Sequence, residues 1–122
     1  MSHSLFVYGT LMRGHDQARF LSGLRRRPAR ARGRLWSLPA GYPAMGPGSD
    51  TVFGELVEGV NDGLLALLDT YEGVGSGLYE RRQCAVQVDT EYITAWVYWM
   101  EDPQRRGGQY LKTGRYTAVR RR

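Results

Sequence analysis

Short apolar runs separated by glycine dominate this chain, and they predict a fold rich in β-structure. Residues 5–8 form such a run and stop at Gly9, a pattern typical of a buried strand that ends in a tight turn. Residues 81–88 and 92–100 flank a turn at Asp89 and form the clearest hairpin pattern. Further strands are predicted at residues 30–38, 51–58 and 116–119.

Two segments instead show helical periodicity. Residues 16–24 carry a partial apolar stripe, and residues 62–71 follow Asn61, a good N-cap residue, and precede Gly73 at the C′ position. The element order β, α, β, β, α, β, β predicts an α+β fold. In this fold a small mixed β-barrel of about five to seven strands is flanked by two helices.

Composition supports one ordinary globular domain spanning residues 1–122. The chain is 42% hydrophobic and 24% charged, and no apolar run approaches the roughly 18 residues of a membrane span. The first residues lack a signal-peptide pattern, so a cytoplasmic location without membrane association is expected. One cysteine, Cys84, excludes an intramolecular disulfide, and the two histidines show no metal-ligand spacing. A metal site is therefore not expected.

The net charge of +5 comes from arginine, because Lys112 is the only lysine. Six arginines lie within residues 25–34, and three more end the basic tail at residues 117–122. Such clusters can form a nucleic-acid surface. They can equally form a solvated face, and no aromatic residues interleave with them in the sequence, as stacking on single strands requires. A nucleic-acid partner is therefore the less favoured interpretation.

The turn that follows the first strand is a candidate anion site. Without a Cβ at Gly9, backbone amides can approach a small ligand closely. A turn of exposed N–H groups suits a carboxylate or a phosphate. The pattern is also compatible with an ordinary turn.

Glu72 is the candidate for acid–base chemistry. Leu65, Leu68 and Glu72 share one helix face, so the face that buries the leucines should also direct Glu72 inward. Burial, the negative end of the helix dipole and Asp69 one turn earlier should all raise the pKa of Glu72. A carboxyl group of this kind suits proton transfer near neutral pH. If the helix ends at Tyr71, Glu72 is instead an ordinary surface residue.

Six short motifs together resemble the gamma-glutamylcyclotransferase-like superfamily, especially its short, gamma-glutamylamine cyclotransferase members. They run in family order through most of the chain: Tyr8-Gly9-Thr10-Leu11, Gly41-Tyr42-Pro43-Ala44, Val52-Phe53-Gly54-Glu55-Leu56, Leu68-Asp69-Thr70-Tyr71-Glu72-Gly73, Leu78-Tyr79-Glu80-Arg81 and Ala95-Trp96-Val97-Tyr98. One stretch departs from the pattern. Gly114-Arg115-Tyr116 stands where many members have G-D-W, which puts the closing strand and the cavity rim in question.

The resemblance implies a barrel with a ligand cavity at one side. It also implies an enzyme in which the α-amine of a γ-glutamyl amide attacks the γ-carbonyl and releases 5-oxoproline and an amine or amino acid. Glu72 would be the catalytic acid and base, and neither a metal nor another cofactor would be needed. The turn residues Tyr8, Gly9, Thr10 and Leu11 would hold the substrate carboxylate, and Tyr79 and Tyr98 would line the cavity.

Two alternatives remain at this point. One is removal of a γ-glutamyl protecting group during biosynthesis of another compound, which uses the same residues. The other is a barrel that binds a small acid or nucleic acid without turnover. The strand residue Glu55 is expected to have a structural role rather than a catalytic one.

Overall fold

The computed structural model describes residues 2–9, 11–12 and 18–116. Within these residues the fold is a mixed sheet with one α-helix, α1 (Asp62–Tyr71), and three short 3-10 segments (Ala18–Leu21, Val74–Ser76 and Pro103–Arg106). The α+β class is therefore confirmed. The strands are β1 (Ser2–Val7), β2 (Arg25–Ser37), β3 (Pro43–Asn61), β4 (Glu80–Val88), β5 (Glu91–Trp99) and β6 (Gln109–Tyr110).

The strand pairings close into a ring. β3 pairs antiparallel with β1 and β2, β2 with β4, and β4 with β5. A parallel contact between Leu5 of β1 and Trp96 of β5 completes the circuit, and β6 extends one end of β2. This arrangement agrees with the curled mixed sheet that the element order predicts.

Strand alternation divides the apolar side chains between two cores. Phe6 of β1 and Tyr8, which follows it, belong to a cluster drawn from all five strands of the ring, which fills its interior. Leu5 and Val7 belong to a second cluster on the opposite face of the sheet, together with Leu68 of α1. Helix α1 therefore packs beside the strand that leads into the Tyr8–Gly9 turn.

Helix α1 has the predicted bounds because residues next to each of its ends cap it. The Asn61 side chain accepts a hydrogen bond from the Leu64 amide at 2.8 Å. At the other end, the Glu72 amide donates to the Leu68 carbonyl oxygen at 2.8 Å, and Gly73 takes a left-handed conformation with φ of 68°. The helix therefore ends at a defined position, with Glu72 as its C-cap residue.

The prediction of a second α-helix at residues 16–24 is wrong in its described part. Residues 18–21 form a 3-10 segment whose only buried side chain is Leu21, and Gly23 then adopts a φ of 80°. Residues 13–17 lie outside the described residues. With so little apolar surface and a left-handed glycine, the segment cannot continue as a regular helix.

Three strand predictions also need correction. The strand predicted at residues 51–58 is the centre of a 19-residue strand, and β2 begins at Arg25 rather than at residue 30. Both extensions come from the long antiparallel pairing between β2 and β3, which local sequence does not encode. The last strand within residues 18–116 is β6. Tyr116 is not in a strand, and residues 117–119 and the basic tail lie outside the described residues.

None of the helices among the described residues is long and apolar enough to cross a membrane.

Candidate active site

A cavity of about 350 Å³ lies where β1 and α1 both end. The structure brings five of the predicted side chains and one backbone position together around it: Tyr8, Gly9, Leu11, Glu72, Tyr79 and Tyr98. Thr10, the remaining predicted residue, lies outside the described residues. Tyr42, Pro43, Tyr71 and Leu78, which were not singled out as site residues, complete much of the wall.

Glu72 is the one charged side chain among the described residues that line the cavity. Leu65 and Leu68 on the same helix face are buried, and Glu72 is half-buried at the cavity wall. Burial raises its pKa to about 7. Close to neutral pH, this carboxyl group can therefore either accept or donate a proton.

The expected contribution of Asp69 to this pKa shift is wrong. Asp69 Oδ1 accepts a hydrogen bond from Arg81 Nε at 2.7 Å and another from the Tyr98 hydroxyl at 2.9 Å. The negative charge of Asp69 is therefore balanced by the guanidinium group rather than directed at Glu72. Burial accounts for the raised pKa of Glu72 without like-charge repulsion.

The three predicted tyrosines are held by their own hydroxyl groups. The Tyr8 hydroxyl donates to the Tyr98 carbonyl oxygen at 2.7 Å, Tyr79 donates to the Pro43 carbonyl oxygen at 2.5 Å, and Tyr98 donates to Asp69. Burial raises the pKa of each phenol well above its usual value. These residues therefore form fixed, uncharged walls, because each hydroxyl proton is already donated to another acceptor.

Gly9 is required by packing, a reason the sequence did not reveal. A Cβ at this position would lie 2.5 Å from Pro43 Cγ, so any side chain would collide with the loop opposite. The Met12 amide donates to the Gly9 carbonyl oxygen at 3.0 Å and closes the turn. The Leu11 amide is not used by this hydrogen bond, which leaves it able to serve a ligand.

Arg26 supports this turn from behind, and sequence reasoning missed it. Its side chain is only 7% exposed. Nη1 donates to the Leu11 carbonyl oxygen at 2.8 Å and to Glu55 at 2.9 Å, and Nη2 donates to the Ala18 carbonyl oxygen at 2.9 Å. The interpretation of the arginine-rich segment as a solvated face is wrong for this residue. Its pairing with Glu55 agrees with the structural role expected for that acid.

Several other arginines of this segment pair with acids on β3. Arg25 and Arg27 face Glu58, and Arg34 Nε lies 3.3 Å from Asp50. Aromatic rings do accompany arginines in space, since Arg34 lies over Tyr110. That ring comes from β6, which is remote in sequence. Weak nucleic-acid binding by this face stays a prediction.

The stretch Gly114-Arg115-Tyr116, which departs from the family pattern, supports the cavity wall. Gly114 has a φ of 69°, and a Cβ there would lie 2.0 Å from the Thr51 carbonyl oxygen. The Arg115 guanidinium stacks 4.0 Å from the centre of the Phe53 ring. The Tyr116 hydroxyl donates to the Gly41 carbonyl oxygen at 2.9 Å, which ties the stretch to a loop that lines the cavity.

Comparison with known protein families agrees with this geometry. A family model described as gamma-glutamyl cyclotransferase, AIG2-like, matches residues 5–118. The chain belongs to this family. None of the curated protein sequences matches the chain closely enough to count as a relative.

Solved structures of similar proteins show the same fold. An AIG2-like protein from Mus musculus has 22% sequence identity and a TM-score of 0.76, with 99% of each chain covered. YkqA from Bacillus subtilis has 24% identity and a TM-score of 0.75. The match covers 95% of this chain but 40% of the Bacillus protein. A protein from Arabidopsis thaliana has 28% identity and a TM-score of 0.71, with 89% of this chain and 69% of the plant chain covered.

Proposed function

We propose that the protein is a cyclotransferase that cleaves γ-glutamyl amides and releases 5-oxoproline and an amine. The observation that carries the proposal is the Glu72 carboxyl group, which has a pKa of about 7 and faces a cavity formed by the family motifs. The family to which the chain belongs supports this reaction class. No protein group needs to form a covalent intermediate, because the substrate carries its own nucleophile.

The reaction begins when the Glu72 carboxylate accepts a proton from the substrate's α-ammonium group. The freed nitrogen attacks the γ-carbonyl carbon, and a new carbon–nitrogen bond closes a five-membered ring. The original amide bond then breaks as protonated Glu72 donates its proton to the leaving nitrogen, and the Glu72 carboxylate takes the second proton from the ring nitrogen and passes it to the departing amine. Overall, two protons leave the α-nitrogen and two reach the leaving nitrogen. The amine therefore departs as an ammonium ion, and Glu72 returns to its starting state.

The pKa of Glu72 suits both transfers. The pKa of an α-amino group is about 8 at a peptide terminus and higher beside a free carboxylate, so a carboxyl group with a pKa near 7 is a better-matched proton acceptor for the substrate than an ordinary glutamate. An ordinary exposed glutamate, at about 4.3, would be a much weaker base. Holding the substrate in a folded conformation in the cavity would lower the reaction barrier further, because the attacking nitrogen and the carbonyl carbon belong to one molecule.

The cavity wall near Glu72 favours an amine over an amino acid as the leaving group. Tyr42, Tyr71 and Leu78 present rings and an apolar side chain, and Tyr71 packs against Phe20 with ring centres 5.1 Å apart. A leaving amino acid would bring a carboxylate beside Glu72, where like charges repel. An alkyl or aromatic amine brings no negative charge and would contact the rings and the apolar side chain of this wall.

The substrate's α-carboxylate is assigned to the turn at residues 8–11. We expect titration with 5-oxoproline, which retains this carboxylate, to shift the amide NMR signals of Gly9, Thr10 and Leu11. The reason is that a bound carboxylate accepts hydrogen bonds from backbone amides of such a turn. Gly107 lies in another glycine turn away from the cavity, and its signal should stay in place. If the turn signals are unmoved at saturation, the carboxylate binds elsewhere.

The test of the function is a panel of γ-glutamyl amides assayed for 5-oxoproline across a range of pH. Glu72 must be ionised to accept the first proton, and its folded pKa is raised to about 7. Turnover should therefore be low in acid and rise with pH to a plateau above about pH 7. Alkylamine substrates should have a higher kcat/KM than γ-glutamyl amino acids. An absence of 5-oxoproline across the panel would refute the proposed activity.

A further inference from the structure

The ion pair between Asp69 and Arg81 has no part in the chemistry described so far. Arg81 Nε lies 2.7 Å from Asp69 Oδ1, and each of these two side chains is 24% exposed. The Arg81 guanidinium also lies 4.2 Å from the centre of the Trp96 ring, which holds it in place from the other side. The pair is thus a fixed structure rather than a loose surface contact.

Its position relates it directly to Glu72. Asp69 precedes Glu72 by three residues on α1, and side chains at this spacing are neighbours on a helix surface. Tyr98 contacts both parts of the site, since its hydroxyl donates to Asp69 while its side chain lines the cavity with Glu72. A charge left uncompensated on either member of the pair would therefore act on Glu72 at short range.

We propose that Asp69 and Arg81 are positioning residues for Glu72. Arg81 cancels the charge of Asp69 beside the Glu72 carboxyl group, and the pair ties the last turn of α1 to β4 and β5. The role in catalysis rests on the proposed cyclotransferase function, whereas the electrostatic effect on Glu72 does not. Without Arg81, the Asp69 carboxylate would repel a second negative charge one helical turn away.

The other groups around Glu72 do not carry charge in the neutral range. The phenols that face it are Tyr8 from the segment after β1, Tyr79 from the segment before β4, and Tyr98 from β5. Burial raises the pKa of all three, so they stay protonated while Glu72 titrates. Tyr42 and Tyr71 complete the ring of phenols in the cavity wall. Two pairs of charged side chains adjoin this wall: Asp69 with Arg81 contacts Tyr98, and Arg26 with Glu55 contacts Leu11. Of these residues, Asp69 lies on the helix of Glu72, three residues before it.

The two halves of the pair can be removed separately, and the expected effects are opposite in sign. Arg81→Gln leaves Asp69 negative, so the pKa of Glu72 should rise by about half a pH unit or more. Asp69→Asn leaves Arg81 positive, so the same pKa should fall by a similar amount. In the double variant, the pKa of Glu72 should be close to its value in the unmodified protein. Arg81→Lys keeps the positive charge and should shift the pKa little.

The pKa is measured by carbon NMR of the Glu72 carboxyl group, beside the pH dependence of turnover. Shifts in the same direction for both single variants, or no shift in either, would overturn the proposal and leave the pair a merely structural tie. If Arg81→Gln does not fold, the comparison of Asp69→Asn with Arg81→Lys still tests the proposal. Asp69→Asn should lower the pKa of Glu72, whereas Arg81→Lys should leave it nearly unchanged. If the two single variants shift the pKa of Glu72 in opposite directions but the protein turns over no γ-glutamyl amide, the proposal for the ion pair is supported and the proposed function is refuted.

Discussion

Glu72→Gln is expected to lower kcat about 10²–10⁴-fold, the usual contribution of a general acid and base. Glutamine keeps the size and shape of the side chain but cannot take up the substrate's proton. The fold should survive, because the Glu72 carboxyl group is destabilising in its charged form. Its pKa is raised on folding, so its ionisation lowers stability as pH increases towards and past about 7. At about pH 8 the variant should therefore melt at the same temperature as the unmodified protein or higher.

Glu80→Gln is the matched control for this variant. Glu80 begins β4, its side chain is 61% exposed, and it pairs with Arg82 outside the cavity. Its replacement should leave both kcat and the melting temperature nearly unchanged. Retention of more than about a tenth of the activity in Glu72→Gln would remove Glu72 from the proposed role.

Arg26→Gln should cause the largest loss of stability, about 3–5 kcal/mol in the free energy of unfolding. The substitution removes the ion pair with Glu55 and the hydrogen bonds to the carbonyl oxygens of Leu11 and Ala18. Denaturant unfolding measures this difference. Turnover should also fall, because the same side chain supports the turn at the cavity.

Arg32→Gln tests whether this effect belongs to the buried arginine alone. Arg32 lies on the same strand but is exposed, so its replacement should change the free energy of unfolding by at most about 0.5 kcal/mol. Equal stability of the two variants would show that the contacts of Arg26 contribute little. This expectation also corrects the interpretation of residues 25–34 as a uniformly solvated segment.

The parts of the fold that sequence predicted best are those specified by neighbouring residues. The N-cap Asn61, the leucines of one helix face and Gly73 all act within α1 or next to it. Their spacing was enough to predict the bounds of the helix and the direction in which Glu72 points. The β4–β5 hairpin could also be predicted from sequence, because its two strands and its turn are contiguous in the chain.

The features that could not be predicted from sequence depend on contacts between residues that are far apart in the chain. Gly54 lies in β3, and a Cβ there would lie 2.1 Å from the Val7 carbonyl oxygen of the neighbouring strand β1. Gly9 meets Pro43 in the same way, and Arg26 finds its partners across three segments. Charge and composition favoured a surface location for Arg26. Only the closed ring of strands shows that it is buried.

The most direct test of the central claim is to identify the product formed from a γ-glutamyl amide in water enriched in a heavy oxygen isotope. Attack by the substrate's own amine adds no water, so the account predicts unlabelled 5-oxoproline and amine in equal amounts, with formation lost in Glu72→Gln. Labelled glutamate would mean that water is the nucleophile and would contradict the proposed cyclisation.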